Sequence, residues 1–350
     1  MNNGVLILGD GQMALVLADA LAARGGDVRV WGPLNDDHVR NLSQSRTSSR
    51  LPGFTLPREV RVIWEEDDLI KGGEPSLIIN AIPTQHIGDV WRRVGPILGA
   101  GSPIISVSKG IENNTLMRPT EVIAESLGCL SADESGIVQI AAHCPPLAVL
   151  SGPTIAAELA KRLPAAMVIA SRDESLCARV QDVFNVPWLR LYAHDDVLGV
   201  ELAGATKNVI ALAAGMLDGI RAGDNAKSAL LARGLAEIAR LGVAMGARID
   251  TFFGIAGVGD LATTCFSPEG RNRSCGERLG RGESLQSILQ KSSSIVEGVP
   301  TTRSVMELAK RHNVDMPIAH AVHEILFAGL SPHDAIQNLM SRDFKPERIG

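Results

Sequence analysis

The sequence predicts an α/β fold in its first half, with a doubly wound and mostly parallel sheet, followed by an all-α domain. Between residue 4 and about residue 196, short β-rich apolar runs alternate with helical patterns, which is typical of strands joined by helices. The strand runs are continuously apolar, as expected when helices cover both faces of a sheet. After about residue 197 only helical periodicity remains. We therefore predict two domains, 1–196 and 197–350.

The charge balance and composition exclude two classes of protein. The chain has 350 residues, with 34 Lys and Arg against 39 Asp and Glu and a formal net charge of −5, which excludes a polybasic nucleic-acid binder. Hydrophobic residues at 45% and charged residues at 21% are ordinary for globular proteins, so a mainly disordered chain is excluded. The five cysteines include no Cys-x-x-Cys pair, which indicates reduced thiols in a cytoplasmic protein.

Six strands are predicted in the first half. Because helices separate them, they should form right-handed βαβ units. The first run passes directly into a glycine-rich turn, so we interpret it as a strand and not as a signal peptide. The predicted strands are 5–8, 28–31, 77–82, 103–108, 147–151 and 166–170.

Helical patterns fill the second half. Asp224 is a candidate N-cap, and Ser331 with Asp334 resembles a capping box. The longest apolar stretch, 197–217, carries a glutamate and a lysine, so its apolar core is too short for a membrane span and we predict a buried helix. The predicted helices are 199–220, 224–246, 303–310, 318–329 and one after Ser331.

A glycine-rich turn follows the first strand. The sequence GDGQMA at 9–14 fits G-x-G-x-x-A and opens a helix. In such a turn Gly9 permits the sharp bend, Gly11 lets a pyrophosphate approach the backbone, and Ala14 lets helix and strand pack closely. The phosphates would lie at the helix N-terminus, beside Gln12 and Met13. A structural glycine turn is the alternative. Dinucleotide binding is the stronger interpretation because the strand, turn and helix occur in the required order.

The end of the second strand bears on the choice of dinucleotide. An acidic residue there bonds the ribose 2′-hydroxyl of NAD, whereas an arginine holds the 2′-phosphate of NADP. Residues 31–37 read WGPLNDD and offer no arginine. The sequence therefore favours NAD, with NADP left open.

Two further strand ends carry polar residues where open α/β sheets place ligands. Lys109, in Ser-Lys-Gly at 108–110, is either a solvated strand end or a cation that faces cofactor and substrate. The segment 151–154, Ser-Gly-Pro-Thr, precedes a helix whose N-terminus either holds an anion or is capped by its own side chains.

Lys207 interrupts an otherwise apolar helix, with Ala203 and Gly204 one turn before it. A lysine in such surroundings needs a partner or a route to solvent. Desolvation lowers the pKa of a lysine, which would make Lys207 a general base near neutrality. The alternative is a structural ion pair with an acidic residue.

The second half contains one more polar constellation. Asp260 precedes a segment, 267–273, with two arginines and an asparagine, which are donors suited to phosphate or carboxylate. A solvated polar loop is the alternative. Glu297 is either a turn residue or a cofactor contact. We predict no metal site, because His320 and His323 lack further ligands at matching spacing.

Taken in order, these motifs resemble the NAD(P)-dependent glycerol-3-phosphate dehydrogenases of the bacterial type. The resemblance spans residue 5 to about residue 330, and its most specific part is TKNVIALAAGMLDG together with GDLATTC and RNR. The matching stretches are GDGQMA at 9–14, VSKGIE at 107–112, LSGPTIAAELA at 150–160, GATKNVIALAAGMLDG at 204–219, GVGDLATTC at 257–265, EGRNRSCG at 269–276 and VEGVPTTRSV at 296–305, followed by MPI at 316–318.

The resemblance implies a Rossmann-like first domain and a helical second domain like that of 6-phosphogluconate dehydrogenase, for substrate binding and dimerisation. It implies hydride transfer between C2 of sn-glycerol 3-phosphate and the nicotinamide, which interconverts this substrate with dihydroxyacetone phosphate. The product would serve glycerophospholipid synthesis. Partners would be this phosphorylated three-carbon substrate and a second copy of the chain, with no nucleic acid and no membrane span.

Site residues follow from the same resemblance. Lys207 would accept the proton from the C2 hydroxyl, Lys109 would touch substrate and cofactor, and Asp260 would lie beside Lys207. The implied cofactor contacts are Gly9, Gly11, Gln12, Met13, Lys109, Ala156, Arg271 and Glu297. The implied substrate contacts are Lys109, Gly152, Thr154, Lys207, Asp260, Gly270, Arg271 and Asn272.

The chain departs from the family pattern at two places. Gln12, Met13 and Ala14 replace the usual Ser-Trp-like pair and glycine, and the arginine often found after the second strand is absent. Other interpretations are a related dehydrogenase for a 3-hydroxyacid or ketopantoate-like carboxylate, and a non-catalytic dinucleotide sensor. The basic segment at 269–273 separates phosphate from carboxylate substrates, and retention of both lysines with Asp260 argues against a sensor.

Overall fold

The computed structural model describes residues 4–34, 36–99, 101–132, 138–292 and 295–343. The chain forms two compact units, one from residues up to 108 with 117–197, the other from 109–116 with the residues from 198 onward. The predicted first domain, 1–196, includes 109–116. The segment belongs instead to the helical unit because Ile111 and Leu116 are buried in that unit's hydrophobic core.

Strands occur only in the first unit, as far as the chain is described. Eight of them form one sheet, and the other four form two small hairpins. The bounds are β1 Val5–Leu8, β2 Val28–Trp31, β3 Thr47–Ser48, β4 Leu51–Thr55, β5 Arg61–Ile63, β6 Leu77–Asn80, β7 Ile104–Ser106, β8 Leu130–Ala132, β9 Val138–Ile140, β10 Leu147–Ser151, β11 Ala165–Ser171 and β12 Leu189–His194.

The main sheet has the order β12-β11-β10-β7-β6-β1-β2-β5. Neighbouring strands are parallel except β10 and β11, which pair antiparallel. Strand β2 pairs with one side of β1, and strand β6, which comes later in the chain, pairs with the other side of β1. This is the switch point at which open α/β sheets bind ligands, at the carboxyl ends of the strands.

Helices cover both faces of this sheet, which confirms the doubly wound prediction. Along β1, Val5 and Ile7 belong to one hydrophobic core, and Leu6 and Leu8 belong to another. Alternate side chains of a strand point to opposite faces, so each face has its own core. The helices are α1 Gln12–Ala23, α2 Asp37–Ser45, α3 Ile87–Leu98, α4 Pro119–Ser126, α5 Ala156–Leu159 and α6 Glu174–Val183.

The second unit is helical throughout its described part, as predicted. Its helices are α7 Val197–Gly219, α8 Asp224–Ala244, α9 Ile249–Phe253, α10 Asp260–Phe266, α11 Arg271–Gly280, α12 Leu285–Lys291, α13 Gly298–Arg311, α14 Pro317–Phe327 and α15 Pro332–Met340. A single π-turn, Ile255–Gly259, leads into α10.

The structure corrects one detail of the predicted helices and confirms another. Gly223, not Asp224, is the N-cap of α8, and Asp224 is the first helical residue, where its negative charge complements the helix dipole. Helix α7 is long and apolar enough to cross a membrane by length and composition, but 89% of its apolar window is buried inside the structure. It is the buried helix that the sequence predicts.

Candidate active site

The glycine-rich turn leaves β1 at the switch point of the sheet. Gly9 has φ +117°, and a Cβ there would lie 2.8 Å from the carbonyl oxygen of Ala81, so this position requires glycine. A Cβ at Gly11 would meet nothing within 4 Å, so the backbone is open there. Helix α1 begins at Gln12, and its first N–H groups have no partners within the helix. These features fit a bound pyrophosphate.

Charged side chains that the sequence did not single out gather at this turn. Arg50, between β3 and β4, donates from Nη1 to Asp10 Oδ1 at 2.5 Å. The Nε2 atom of His38 lies 3.7 Å from Asp10 Oδ2. The side-chain amide of Gln12 donates to the backbone carbonyl of Arg50, so Gln12 uses its side chain to hold the β3–β4 hairpin. A cation does therefore reach the turn, although residues 31–37 supply none.

Polar side chains at and after the ends of β6 and β7 form a chain of hydrogen bonds. Asn80 Nδ2 donates to Ser108 Oγ at 2.9 Å, and Trp91 Nε1 donates to Asn80 Oδ1 at 3.0 Å. Ser108 Oγ donates in turn to the carbonyl oxygen of Ile82 at 2.6 Å. This network fixes Ser108, which directly precedes Lys109 in the chain.

The segment after β10 satisfies part of its own polar groups. Gly152 has φ +149°, and Thr154 Oγ1 donates to the carbonyl oxygen of Gly152 at 3.1 Å. Helix α5 begins at Ala156, which is buried, and has only four residues. The N-cap of α5 is Ile155, with no side-chain capping hydrogen bond, so the Thr154 hydroxyl bonds within its own loop and does not cap the helix.

One carboxylate in the second unit holds both lysines. Lys109 Nζ donates to Asp260 Oδ2 at 2.6 Å, and Lys207 Nζ donates to Asp260 Oδ1. Lys207 also donates to Thr264 Oγ1 at 2.7 Å. Asp260 and Lys207 are nearly inaccessible, with side chains 2% and 7% exposed, whereas Lys109 is 19% exposed. The three residues that the sequence proposed as catalytic thus form one cluster.

Burial sets the protonation behaviour of Lys207. Desolvation is the main cause that lowers its pKa from 10.5 to about 7. Asp260 opposes this shift, and the positive charge of Lys109 adds to it. At neutral pH a lysine with this pKa is present in both its protonated and its neutral form. The neutral form can accept a proton, as a general base must.

A pair of asparagines links the start of α11 to α7. Asn272 Nδ2 donates to Asn208 Oδ1 at 2.9 Å, and Asn272 Oδ1 accepts from the backbone N–H of Gly298 at 2.9 Å. Asn208 directly follows Lys207 in α7. The link therefore places the first turn of α11 beside the residue that follows the buried lysine.

The two arginines at 271 and 273 have different surroundings. The segment predicted as a loop becomes helix α11 at Arg271, with Gly270 as its N-cap. Arg271 is exposed and donates to the carbonyl oxygen of Ile295 at 3.2 Å. Arg273 is engaged internally, since its Nε donates to Asp218 at 2.7 Å. Arg271 is therefore the more exposed of the two arginines.

Glycines set the distance between α7 and α11. A Cβ at Gly215 would lie 1.9 Å from the carbonyl oxygen of Arg273, and one at Gly276 would lie 2.0 Å from that of Leu212. Gly219 and Gly280, one turn further along each helix, are also crowded by backbone atoms, with a Cβ 2.3 and 2.4 Å from the nearest carbonyl oxygen. The two helices are therefore in backbone-to-backbone contact, and this contact places Asn272 against Asn208.

Sequence reasoning missed three contributors to these sites. Thr264 lies four residues after Asp260 on the same helix, so i,i+4 spacing could have identified it. Asn208 directly follows Lys207 in the sequence, and the side-chain amide of Asn272 is a possible hydrogen-bond partner for it. Arg50 gave no such signal, because it is distant from Asp10 in the sequence and only folding brings the two side chains together.

A chain built this way belongs with the dehydrogenases that join a Rossmann-like unit to a helical unit. More specifically, it belongs to the NAD-dependent glycerol-3-phosphate dehydrogenase family. Sequence models of that family's N-terminus and C-terminus match residues 4–177 and 196–337. The resemblance and the fold class inferred from the sequence are thereby confirmed.

Relatives and a solved structure agree along the full length. Glycerol-3-phosphate dehydrogenase (NAD(P)⁺) 2 of Salinibacter ruber is 41% identical over 347 residues, which cover 99% of this chain and 97% of that protein. The corresponding enzyme of Geobacillus kaustophilus is also 41% identical, over 98% of this chain and 96% of its own. The crystal structure of glycerol-3-phosphate dehydrogenase from Coxiella burnetii has a TM-score of 0.88 at 33% identity, covering 97% of this chain and 99% of that chain.

Proposed function

We propose that this protein is an NAD(P)-dependent oxidoreductase that interconverts sn-glycerol 3-phosphate and dihydroxyacetone phosphate. Full-length similarity to proteins named for that activity supports the reaction. The observation that carries the chemistry is the buried cluster of Lys207, Asp260 and Lys109. Its product would supply glycerophospholipid synthesis.

Lys207 is the proposed proton carrier. When bound, the nicotinamide cofactor supplies the hydride acceptor or donor. In the oxidation direction the neutral amine of Lys207 takes the proton of the C2 hydroxyl, and in the reduction direction its ammonium returns that proton. Asp260 orients the amine through its hydrogen bond, and the charge of Lys109 stabilises negative charge that develops on the C2 oxygen.

The substrate phosphate is assigned to the start of α11. Arg271 can form two parallel charge-assisted hydrogen bonds to a phosphate, and Gly270 and Asn272 flank it on the first turn. The helix N-terminus adds a favourable dipole. Because Arg271 is exposed while Arg273 is bonded to Asp218, Arg271 is the residue we assign to this contact.

The other proposed contacts divide between the two units. In the first unit, the glycine turn would bind the cofactor pyrophosphate, and the open backbone at Gly11 supports this. Ala156 in the first unit and Glu297 in the second are further proposed cofactor contacts. Gly152 and Thr154 are proposed substrate contacts, with part of the hydrogen-bonding capacity of Thr154 already used within its own loop.

An activity assay with and without the phosphate tests the reaction. NADH and NADPH oxidation is followed at 340 nm with dihydroxyacetone phosphate and, separately, with unphosphorylated dihydroxyacetone. We expect activity with the phosphate and at least 100-fold less without it, since charge-assisted bonds to the phosphate contribute several kcal/mol. Activity with ketopantoate or a 3-hydroxyacid instead would favour a carboxylate dehydrogenase, and cofactor binding without turnover would favour a sensor.

We further propose a cytoplasmic homodimer formed through the helical unit. Support comes from large apolar side chains that are exposed along one open groove of that unit, Val243 at 46%, Ile249 at 49% and Met340 at 81%. Exposed apolar patches of this kind mark protein contacts. Sedimentation equilibrium should give a dimer for the protein and a monomer for Val243→Lys, and an unchanged dimer would exclude this face.

A further inference from the structure

The turn proposed to bind the pyrophosphate carries a carboxylate. Asp10 lies between Gly9 and Gly11, and its side chain is only 10% exposed. Adjacent Cα atoms are 3.8 Å apart, so this acidic residue directly neighbours the open backbone at Gly11. A pyrophosphate bound there would meet a fixed negative charge that water screens poorly.

Arg50 compensates this charge. Its Nη1 atom lies 2.5 Å from Asp10 Oδ1, so a cationic group faces this carboxylate directly. His38 approaches the other oxygen, with Nε2 3.7 Å from Asp10 Oδ2 and 3.4 Å from Ser48 Oγ. The carboxylate is therefore neutralised on the side where the β3–β4 hairpin covers it.

The backbone of Arg50 is also held against the turn. Gln12, the first residue of α1, donates its side-chain amide to the carbonyl oxygen of Arg50. The N–H of Arg50 donates to Ser48 Oγ at 3.1 Å. The hairpin is thus bonded to both the acidic residue and the helix start, which fixes the guanidinium over Asp10.

We propose that Arg50 is a positioning residue for dinucleotide binding, whose guanidinium neutralises Asp10 so that the turn accepts the pyrophosphate of NAD and NADP alike. This inference rests on the proposed function, because it presumes that a dinucleotide binds at the turn. It assigns Arg50 to the pyrophosphate that both cofactors share, and not to the 2′-phosphate that distinguishes them.

The test is equilibrium binding without substrate, followed by the fluorescence of NADH and of NADPH. In Arg50→Gln the uncompensated carboxylate should weaken both cofactors by about 10- to 30-fold, the effect of one charge roughly 8–12 Å away at an effective dielectric constant of about 20. Asp10→Asn should change affinity in the opposite direction, because the guanidinium then faces the pyrophosphate alone. The double variant should return to within about 3-fold of the unmodified protein.

Controls separate charge from folding. Arg61→Gln removes another cation from the same unit, one bonded to Asp27 at 2.8 Å, and should leave both affinities unchanged. The loss in Arg50→Gln should shrink in high salt, since screening weakens the repulsion. Adenosine has no phosphate, so its affinity, measured by competition with NADH, should be equal in all variants. Thermal unfolding checks that each variant is folded.

Three outcomes would overturn the proposal. A loss confined to NADPH would mean that Arg50 binds the 2′-phosphate. A loss that Asp10→Asn does not restore would mean that Arg50 acts only by holding the hairpin. Unchanged binding of both cofactors in Arg50→Gln would remove it from cofactor recognition. If the unmodified protein binds neither cofactor, the proposed function itself fails, so the two failures are distinguishable.

Discussion

At the residue scale, the central feature is one buried carboxylate that serves two lysines. Two ammonium groups on Asp260 would leave a net positive charge in a site with almost no access to water. Such a charge is unfavourable in a low-dielectric interior. Release of one proton relieves it, and the pKa of Lys207, lowered to about 7, identifies the more buried lysine as the one that releases it.

Replacement of Lys207 tests its proposed role. Lys207→Ala should lower kcat by about 100- to 10,000-fold, the usual contribution of a general base, while NADH affinity changes little. Steady-state kinetics and NADH fluorescence measure the two effects. Lys227→Ala is the matched control, since it removes another buried lysine of the same unit, paired with Asp218 at 2.8 Å. Equal loss of kcat in both variants would indicate general damage.

The pH dependence should have opposite signs in the two directions of reaction. On the proposed mechanism, oxidation requires neutral Lys207, so its kcat should rise with pH up to about 7 and then level off. On the same mechanism, reduction requires the protonated amine, so its kcat should be level below about pH 7 and fall above it. Rate profiles in both directions between pH 5 and pH 10 check this at saturating substrate. Parallel profiles would contradict the assignment.

Arg271 should affect substrate binding more than the chemical step. Arg271→Ala should raise the KM for dihydroxyacetone phosphate by about 10- to 100-fold, because the proposed charged partner of the phosphate is lost. Arg278→Ala is the control on the same helix, where Arg278 bonds Glu283 at 2.7 Å instead of facing a ligand. A normal KM with weaker NADH binding would assign Arg271 to the cofactor alone.

The sequence predicts the lysine cluster better than it predicts its surroundings. Lys207 is recognisable because a cation in an apolar helix needs a physical reason, and Asp260 because it opens a motif. The contact between Arg50 and Asp10 joins residues 40 positions apart, and local patterns do not encode such a distance. The difference in bonding between Arg271 and Arg273 likewise depends on Asp218, because the packing of α7 against α11 brings Asp218 close to Arg273.

At the scale of elements, a buried glutamate joins two helices of the second unit. Glu237 on α8 accepts the backbone N–H groups of Ile318 at 2.8 Å and Ala319 at 3.2 Å, which belong to the first turn of α14. It therefore satisfies N–H groups that a helix start leaves open. Desolvation nevertheless raises its pKa from 4.5 to about 7.

This glutamate should make stability depend on pH. The folded protein retains the proton of Glu237 up to about pH 7, whereas the unfolded chain releases it near 4.5. The free energy of unfolding should therefore fall as pH rises through this interval, by on the order of 3 kcal/mol, and stay level above it. Thermal unfolding of the protein and of Glu237→Gln, compared from pH 4.5 to 8, should differ in slope. Parallel curves would contradict the assignment.

Strand prediction succeeded where both faces of the strand are covered. The predicted bounds of β1, β2 and β10 agree with the structure. Strand β12, at the edge of the sheet, was missed because its residues alternate between buried and exposed and form no apolar run. Strand β5 has only three residues and lies at the opposite edge, so its pattern is too short to identify.

At the scale of the whole molecule, the two units are not separated by a single cut in the chain. The segment 109–116 leaves the sheet unit, joins the helical core and then returns. It carries Lys109 to Asp260 and buries Ile111 and Leu116 among the helices. The sequence shows a change of pattern only near residue 197, because eight residues are too few to register as a change of domain.

A fragment that begins at residue 198 should therefore be unstable. It lacks two buried aliphatic side chains, each of which contributes about 2–5 kcal/mol, out of a typical total of about 5–15 kcal/mol. Thermal unfolding followed by circular dichroism should be broad and early for this fragment. The same fragment with 109–116 joined through a flexible linker should unfold cooperatively at higher temperature. Identical transitions would mean that the segment is dispensable for the helical core.

The close crossing of α7 and α11 bears on which substrates could react. No side chain lies between the helices at Gly215 and Gly276, so rotamer changes cannot adjust their separation. On the proposed function, one helix carries the proton-accepting amine and the other grips the phosphate. The crossing then fixes the distance between the amine and the phosphate-binding residues. A homologue of glycerol 3-phosphate with one more carbon should therefore reach the amine or the phosphate contact, but not both together.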